Sequence, residues 1–466
     1  MSDRVHAFTD DVLGDHDAVA LAELVRSGAV RPDELAAAAR ARAEAVDPRL
    51  NAIAFDCPAP RHAANDSGAW YGVPAFVKDN ADVAGLPSCH GSAAITPHPA
   101  GKDDRFTAQL LSTGITVLGK TTMPEFGFTS TTEFEASDPT RNPWDTGYTV
   151  GGSSGGSAAM VAAGVVPVAH GNDGGGSLRI PAACAGLVSL KPSRFRHLDN
   201  AQARQLPIKL VSEGVLTRSV RDQAVYHAAA EKYWRNPKLP PIGIVEGPPA
   251  RTLRIGLLTT ACNGREPDTE TAAAVRSTAE ILEAAGHSIE PMASPVAPSL
   301  VEDFLRYWGF LAQMSGTTGK LSHGRSFDAA RLDAFTKGLA ASFRRKLLAT
   351  PGSLYRLNKA RADYDDVLTR YDVILSPVLT HTTPELGYLR PGVPFGELID
   401  RVTNFVGYTP INNVTGSPSI AVPAGLTDTG LPIGVMLSGA YGDERTLLEL
   451  AFLLEAQRPF PRITES

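Results

Sequence analysis

Residues 151–193 read GGSSGGSAAMVAAGVVPVAHGNDGGGSLRIPAACAGLVSLKPS, two glycine-serine clusters flanking an apolar run that ends at a lone aspartate. Gly151, Gly152, Gly155 and Gly156 in the first cluster, and Gly174, Gly175 and Gly176 in the second, suit backbone folded tightly around a small polar group. Such loops present free N–H donors. Between them, residues 158–163 favour helix and 165–169 form a short β-branched run read as a buried strand, which leaves Ser177 in a loop just past a strand. Pro181 suits the first turn of a helix and Gly186 its end, so a short helix is expected to start beside that serine. A serine among free amides at a helix start is what acyl transfer needs, because preorganised donors stabilise the oxyanion of the tetrahedral intermediate. Ser177 is therefore the candidate nucleophile. Either cluster alone also reads as a flexible Gly-Ser loop; two of them astride a buried strand favour the first reading.

The 466 residues are 43% hydrophobic and 20% charged, ordinary for a globular chain able to bury a large core. A net charge of −6 gives no general electrostatic reason to bind nucleic acid or an anionic membrane, and points to a small-molecule partner. Cys57, Cys89, Cys184 and Cys262 lie far apart with no metal-ligand spacing, so the sequence suggests neither a disulfide framework nor a metal site, and reduced thiols fit a cytoplasmic protein. The first residues, MSDRVHAFTDDVLGDHD, are acidic and polar, and no stretch approaches 18 uninterrupted apolar residues. Neither an export signal nor a membrane span is expected.

In chain order, residues 17–27 carry one apolar helical side, Gly28 follows, and Pro32 opens a second helix to about Val46: an N-terminal helical hairpin. Within YGVPAFVKDNADVA (71–84), the alternation of Val73, Ala75 and Val77 predicts a strand that delivers Lys78 to its end among apolar neighbours. Most lysines are solvated surface charges. A desolvated Lys78 would favour its neutral form and could act as a base at neutral pH. Residues 115–120 read as another strand, 140–149 as a turn-rich approach to the first glycine cluster, 215–230 as a helix and 236–250 as a Pro/Gly-rich connector. Strands are expected at 254–258, 371–377, 419–423 and 432–437, and helices at 269–285 and 445–457. From 320 to 361 ten Lys or Arg face two Asp or Glu, which reads as a solvated helical face.

These motifs resemble the amidase signature family. GGSSGGSAA from Gly151 and GNDGGGSLRIPA from Gly171 are similar to the two halves of its signature, and VKDN around Lys78 is similar to its lysine motif. The likeness extends through YDVILSP and NNVTGSPSIAVP, nearly the whole chain, and is nearest to stand-alone bacterial amidases of the aminohexanoate cyclic-dimer hydrolase group. It implies an α/β amidase-signature fold with a central mixed twisted β-sheet covered by helices on both faces. It also implies one domain over 1–466, with the helical hairpin at about 15–47, a catalytic core at about 65–225 and 370–457, and a variable substrate-side region at about 250–365.

The resemblance further implies a Ser-Ser-Lys triad: Ser177 as nucleophile, Ser153 as bridging serine with a cis peptide bond before it, and Lys78 as base. The amides of Gly174, Gly175, Gly176 and Ser177 would receive the oxyanion, Ser154, Asp173 and Arg179 would support the loops, and no cofactor or metal would be needed. Met123, Phe126, Tyr307, Trp308 and Phe310 are candidates to line an apolar acyl pocket. Two departures are Gly174, where a threonine is common, and Ser189, where a glycine is common. Three other readings stand beside this one: an α/β-hydrolase elbow at GGSSG with Ser153 as nucleophile, the amidase subunit of a tRNA-dependent amidotransferase, and a scaffold that has lost activity. A homodimer stays open.

Overall fold

The computed structural model describes residues 3–63, 66–200 and 203–465. In chain order its strands are β1 (Ile53–Arg61), β2 (Pro74–Lys78), β3 (Thr116–Thr121), β4 (Arg141–Asn142), β5 (Asp145–Thr149), β6 (Val168–Asp173), β7 (Ser189–Lys191), β8 (Ser212–Thr217), β9 (Arg254–Leu257), β10 (Ser288–Pro291), β11 (Val373–Pro377), β12 (Ser419–Leu426) and β13 (Pro432–Gly439). Five pair in the order β1-β3-β2-β6-β8 and six in the order β10-β9-β11-β13-β12-β7, while β4 and β5 form a small ribbon. Val188 and Thr217 exchange backbone hydrogen bonds of 2.9 and 3.0 Å, joining the two sets edge to edge into one mixed sheet. Parallel pairs (β2 with β3 and β6, β9 with β10 and β11) occur beside antiparallel ones (β6 with β8, β12 with β13).

Both faces of the sheet are buried, which explains why YDVILSP and SIAVP are apolar without interruption. Val373 and Leu375 of β11, Ile420 and Val422 of β12, and Val435 and Leu437 of β13 point into one core together with helices Val220–Tyr233, Thr269–Ala284 and Glu444–Gln457. The intervening Ile374, Ala421 and Met436 point into the other, larger core, which also holds helices Gly155–Ala162 and Arg179–Ala185. The N-terminal hairpin is helices Ala18–Arg26, capped by Asp17, and Pro32–Leu50, with Pro32 in its first turn. Residues between β10 and β11 form long helices, Ser299–His323, Ala334–Arg345 and Thr350–Val367, that stack on one another. Most of the basic residues of 320–361 sit on these; Lys359 and Arg361 pair with Asp363 and Asp365 one turn away, as a solvated face does.

Several boundaries differ from the sequence reading; the second helix of the hairpin, for one, runs to Leu50 instead of about Val46. The first signature helix starts at Gly155 instead of residue 158. The strand read at 165–169 runs from Val168 to Asp173, because Gly164 (φ 76°) ends the helix and Val165 and Val166 still bond back to the Met160 carbonyl. Val215 and Leu216 belong to β8, not to the helix read over 215–230. That helix begins at Val220, where the Ser219 hydroxyl caps the Asp222 amide.

Glycine in the first helical turn is a packing requirement. A Cβ on Gly156 would lie 2.6 Å from the Ala52 carbonyl oxygen and 2.6 Å from the Thr122 amide nitrogen, both backbone atoms that cannot move aside cheaply. Gly156→Ala should therefore lower stability by about 1–3 kcal/mol, although alanine in a helix is intrinsically favoured by about 1 kcal/mol. Urea unfolding followed by circular dichroism checks this, and a variant as stable as the parent would contradict the packing account.

Candidate active site

β2 ends at Lys78, which puts the amine beneath the C-terminal edge of the sheet, where the neighbouring strand β6 ends at Asp173. The glycine-rich loop 174–178 then turns into helix Arg179–Ala185, and Ser153 and Ser154 sit just before helix Gly155–Ala162. The Gly152–Ser153 peptide bond is cis. Lys78 is fully buried. Its Nζ lies 2.7 Å from Ser153 Oγ, 3.0 Å from Ser154 Oγ and 2.7 Å from Asn172 Oδ1. Burial pushes its pKa down to about 7, with the charges of Glu213 and Asp173 opposing that fall.

Those three partners can be sorted by what each is able to do. A neutral amine donates two hydrogen bonds and accepts one, whereas an ammonium only donates. Asn172 Oδ1 can only accept. The Ser154 hydroxyl donates to the Asn172 carbonyl at 3.3 Å, so towards Lys78 it too must accept. The lone pair of the neutral amine is thereby left for the Ser153 hydroxyl. Behind the lysine, the Lys78 amide donates to His170 Nδ1 at 3.3 Å, which leaves Nε2 to donate to Glu213 Oε2 at 3.0 Å. Burial, reinforced by Lys78 and Lys120, keeps His170 neutral.

The loop holding Ser177 is tied down by Asp173. Its carboxylate accepts from the amides of Gly176 (2.7 Å) and Leu178 (3.1 Å), from Arg179 Nε and Nη2 (both 2.9 Å) and from Asn413 Nδ2 (2.9 Å). Burial alone would raise that carboxyl, but Arg179 and the hydrogen bonds overcome it and hold the group well below the usual carboxylate range. Arg179 in turn donates to the Thr409 carbonyl and to Asn413 Oδ1, and the Thr409 hydroxyl donates to the Gly175 carbonyl at 2.7 Å. Loop and helix Pro410–Thr415 are thus one hydrogen-bonded unit. The Gly176 amide, expected from the sequence to face an oxyanion, is instead taken by Asp173. Among the described residues the amides of Gly174, Gly175 and Ser177 have no protein acceptor.

Ser153, Asn172, Gly174 and Ser177 open onto a cavity of ≈ 350 Å³. Ser177 also borders a smaller, apolar pocket of ≈ 80 Å³ beside Gly175. Of the five side chains expected to line an acyl pocket, Phe126, Trp308 and Phe310 reach the larger cavity, and Trp308 borders both. Met123 and Tyr307 line neither. Met123 packs behind Gly127, and the Tyr307 hydroxyl exchanges hydrogen bonds of 2.8 and 2.9 Å with the Ile208 backbone. Sequence reasoning gave no supporting role at this site to Asn172, His170, Glu213, Thr409 or Asn413. Period two along β6 would have placed His170 and Asn172 on one side of the strand; Glu213, Thr409 and Asn413 meet the site only through the sheet order. Among the described residues no group of three His, Cys, Asp or Glu side chains could hold a metal ion, and no helix is long and apolar enough to cross a membrane.

Removing Arg179 would leave Asp173 buried without its counter-charge, a loss of about 3–5 kcal/mol. Arg179→Ala should show this in urea unfolding; a loss under about 1 kcal/mol, typical of an exposed pair, would contradict the clamp.

The chain is similar to known proteins over nearly its whole length. Residues 34–448 match the Amidase family model. AmiC of Mycobacterium leprae (strain TN), a protein named as an amidase, is 47% identical over 99% of both chains. The 6-aminohexanoate-cyclic-dimer hydrolase of Pseudomonas sp. (strain NK87) is 35% identical over 95% of both. A solved structure of 6-aminohexanoate cyclic dimer hydrolase superimposes with a TM-score of 0.86 at 30% identity, covering 98% of this chain and 99% of that one. A family model matched over most of the chain and full-length relatives converge on one assignment: the chain belongs to the amidase family, a hydrolase acting on amides.

Proposed function

We propose that this protein cleaves a carboxamide C–N bond through an acyl-enzyme on Ser177, with Ser153 and Lys78 as its proton relay. The observation that carries the reading is the 2.7 Å contact between Lys78 Nζ and Ser153 Oγ, in which the amine's lone pair is the one site left for the Ser153 proton. Ser177 Oγ attacks the carbonyl carbon, its proton passes to Ser153, and that of Ser153 passes to Lys78. The oxyanion sits on the free amides of Gly174, Gly175 and Ser177. As the intermediate collapses, the C–N bond breaks and the amine leaves with a proton from Ser153, which Lys78 replaces. Water then attacks the ester by the same relay, releasing the carboxylate and restoring Ser177.

The relay reading also accounts for Lys78 better than an elbow centred on Ser153 does, since Ser153 faces the lysine and not a histidine. Full-length similarity to a hydrolase of a cyclic amide favours a linear or cyclic amide substrate over the ammonia-supplying role of an amidotransferase subunit. All four cysteines are free, which fits the cytoplasm.

Ser177→Ala should abolish turnover while circular dichroism stays that of the parent. Lys78→Ala should cost about 10²–10⁴ in kcat. The relay needs the neutral amine, so activity should be full above the lysine pKa and fall as pH drops through about 7. A flat profile of kcat/KM between pH 5.5 and about 8.5 would sink the base assignment.

A further inference from the structure

Ser177 stands at a partition. The larger cavity is reached by Ser153, Asn172 and the Gly174 end of the loop; the smaller pocket is reached by Gly175 and walled by Ile180, Phe304, Val402 and Val406. Ser153 lines the first and not the second. This matters because, resting on the proposed relay, Ser153 is the group that must hand a proton to the departing nitrogen. With the carbonyl carbon at Ser177 Oγ and its oxygen on the loop amides, the nitrogen must lie on the Ser153 side, and the acyl chain then extends to the other. The geometry points to a divided substrate site: the apolar pocket takes the acyl half of the amide, and the larger polar cavity takes the amine half.

The two chambers differ in size and chemistry, and so fix a substrate class. The acyl pocket is small, ≈ 80 Å³, and most of its lining is apolar, with the Cys262 thiol buried at its wall. It suits a short aliphatic or compact aryl acyl group without charge. The amine cavity is far larger, ≈ 350 Å³, and carries Asp82, Asp104, Asn80 and Asn200 beside His90, His98 and His323, with no Lys or Arg among the described lining residues. Asp104 is paired with Arg204, whereas Asp82 lies within electrostatic reach of Lys120 and His323 but forms no ion pair among the described residues. A carboxylate on the amine half would meet the carboxylates of Asp82 and Asp104; a hydroxyl, amide or ammonium would be received by them. The substrate is accordingly an amide of a short, uncharged acid with a bulkier, polar, non-anionic amine.

Two substitutions outside the relay separate the halves. Val402→Phe fills the acyl pocket and Met314→Trp narrows the amine cavity. Against a matrix of amides in which acyl length (acetyl to hexanoyl) and amine are varied independently, Val402→Phe should depress kcat/KM for the longer acyl groups by about tenfold or more. It should leave the ranking of amines unchanged, and Met314→Trp should do the reverse. Amides of lysine should be cleaved faster than those of glutamate, and Asp82→Asn should narrow that gap. Mass spectrometry of the quenched enzyme reads the acyl mass retained on Ser177. An adduct that forms while Val402→Phe changes the amine ranking, or changes neither, overturns the divided site and leaves the acyl-enzyme standing. Absence of any Ser177 adduct, with turnover insensitive to Ser177→Ala, removes the relay and the divided site together.

Discussion

An amine that has been stripped of water and left facing hydroxyls is the constraint to which the rest of this structure answers. Desolvation costs a lysine its charge unless a counter-ion sits beside it. Here the nearest partners of Lys78 Nζ are two serine hydroxyls and an amide oxygen, not a carboxylate. Burial is not what singles the residue out, because Lys120 and Lys191 are equally buried and are also pushed downwards. Those two, however, donate to backbone carbonyls, of Pro87 for Lys120 and Pro192 for Lys191. Lys120 also donates to Ser88 Oγ, which lines the cavity holding Ser177, but of the three only Lys78 has no backbone carbonyl among its Nζ partners and bonds to Ser153.

Holding that arrangement requires rigid supports on both sides of the amine. The mixed sheet supplies one, since β2 and β6 run parallel and finish side by side, so that Lys78, Asn172 and Asp173 arrive at the same edge from distant parts of the chain. The Asp173–Arg179 pair supplies the other. Its cost of burial is offset by Asn413 and two backbone amides that satisfy the remaining lone pairs of the carboxylate, and it binds the nucleophile loop to helix Pro410–Thr415. The glycines then follow from space: a Cβ on Gly176 would meet the Thr409 hydroxyl at 2.3 Å, and one on Gly127 would meet Ser153 Oγ at 2.9 Å.

Much of this was legible in the residues themselves. The glycine-serine clusters, Ser177 past the end of a strand, Lys78 at the tip of an alternating run and the uninterrupted apolar strands all follow from local period and turn chemistry. What stayed hidden was whatever depends on strands far apart becoming neighbours. Glu213 behind His170, Asn413 and Thr409 on Asp173 and Gly175, and the division of the cleft at Ser177 are products of sheet order, which no local pattern carries. The slips at Val165 and Val215 have a simpler cause: short β-branched runs next to a helix fit either period. Tyr307 and Met123 show the usual limit for aromatic and sulfur side chains, whose sequence pattern cannot tell a cavity wall from a packed interior.

Direct titration of the Lys78 side chain tests the central claim without recourse to turnover. With lysines labelled at Cε, the Lys78 resonance is assigned by its loss in Lys78→Ala and followed from pH 5 to 11 by NMR. The account places its midpoint at about 7; a midpoint near the ordinary lysine value of about 10.4 would contradict it.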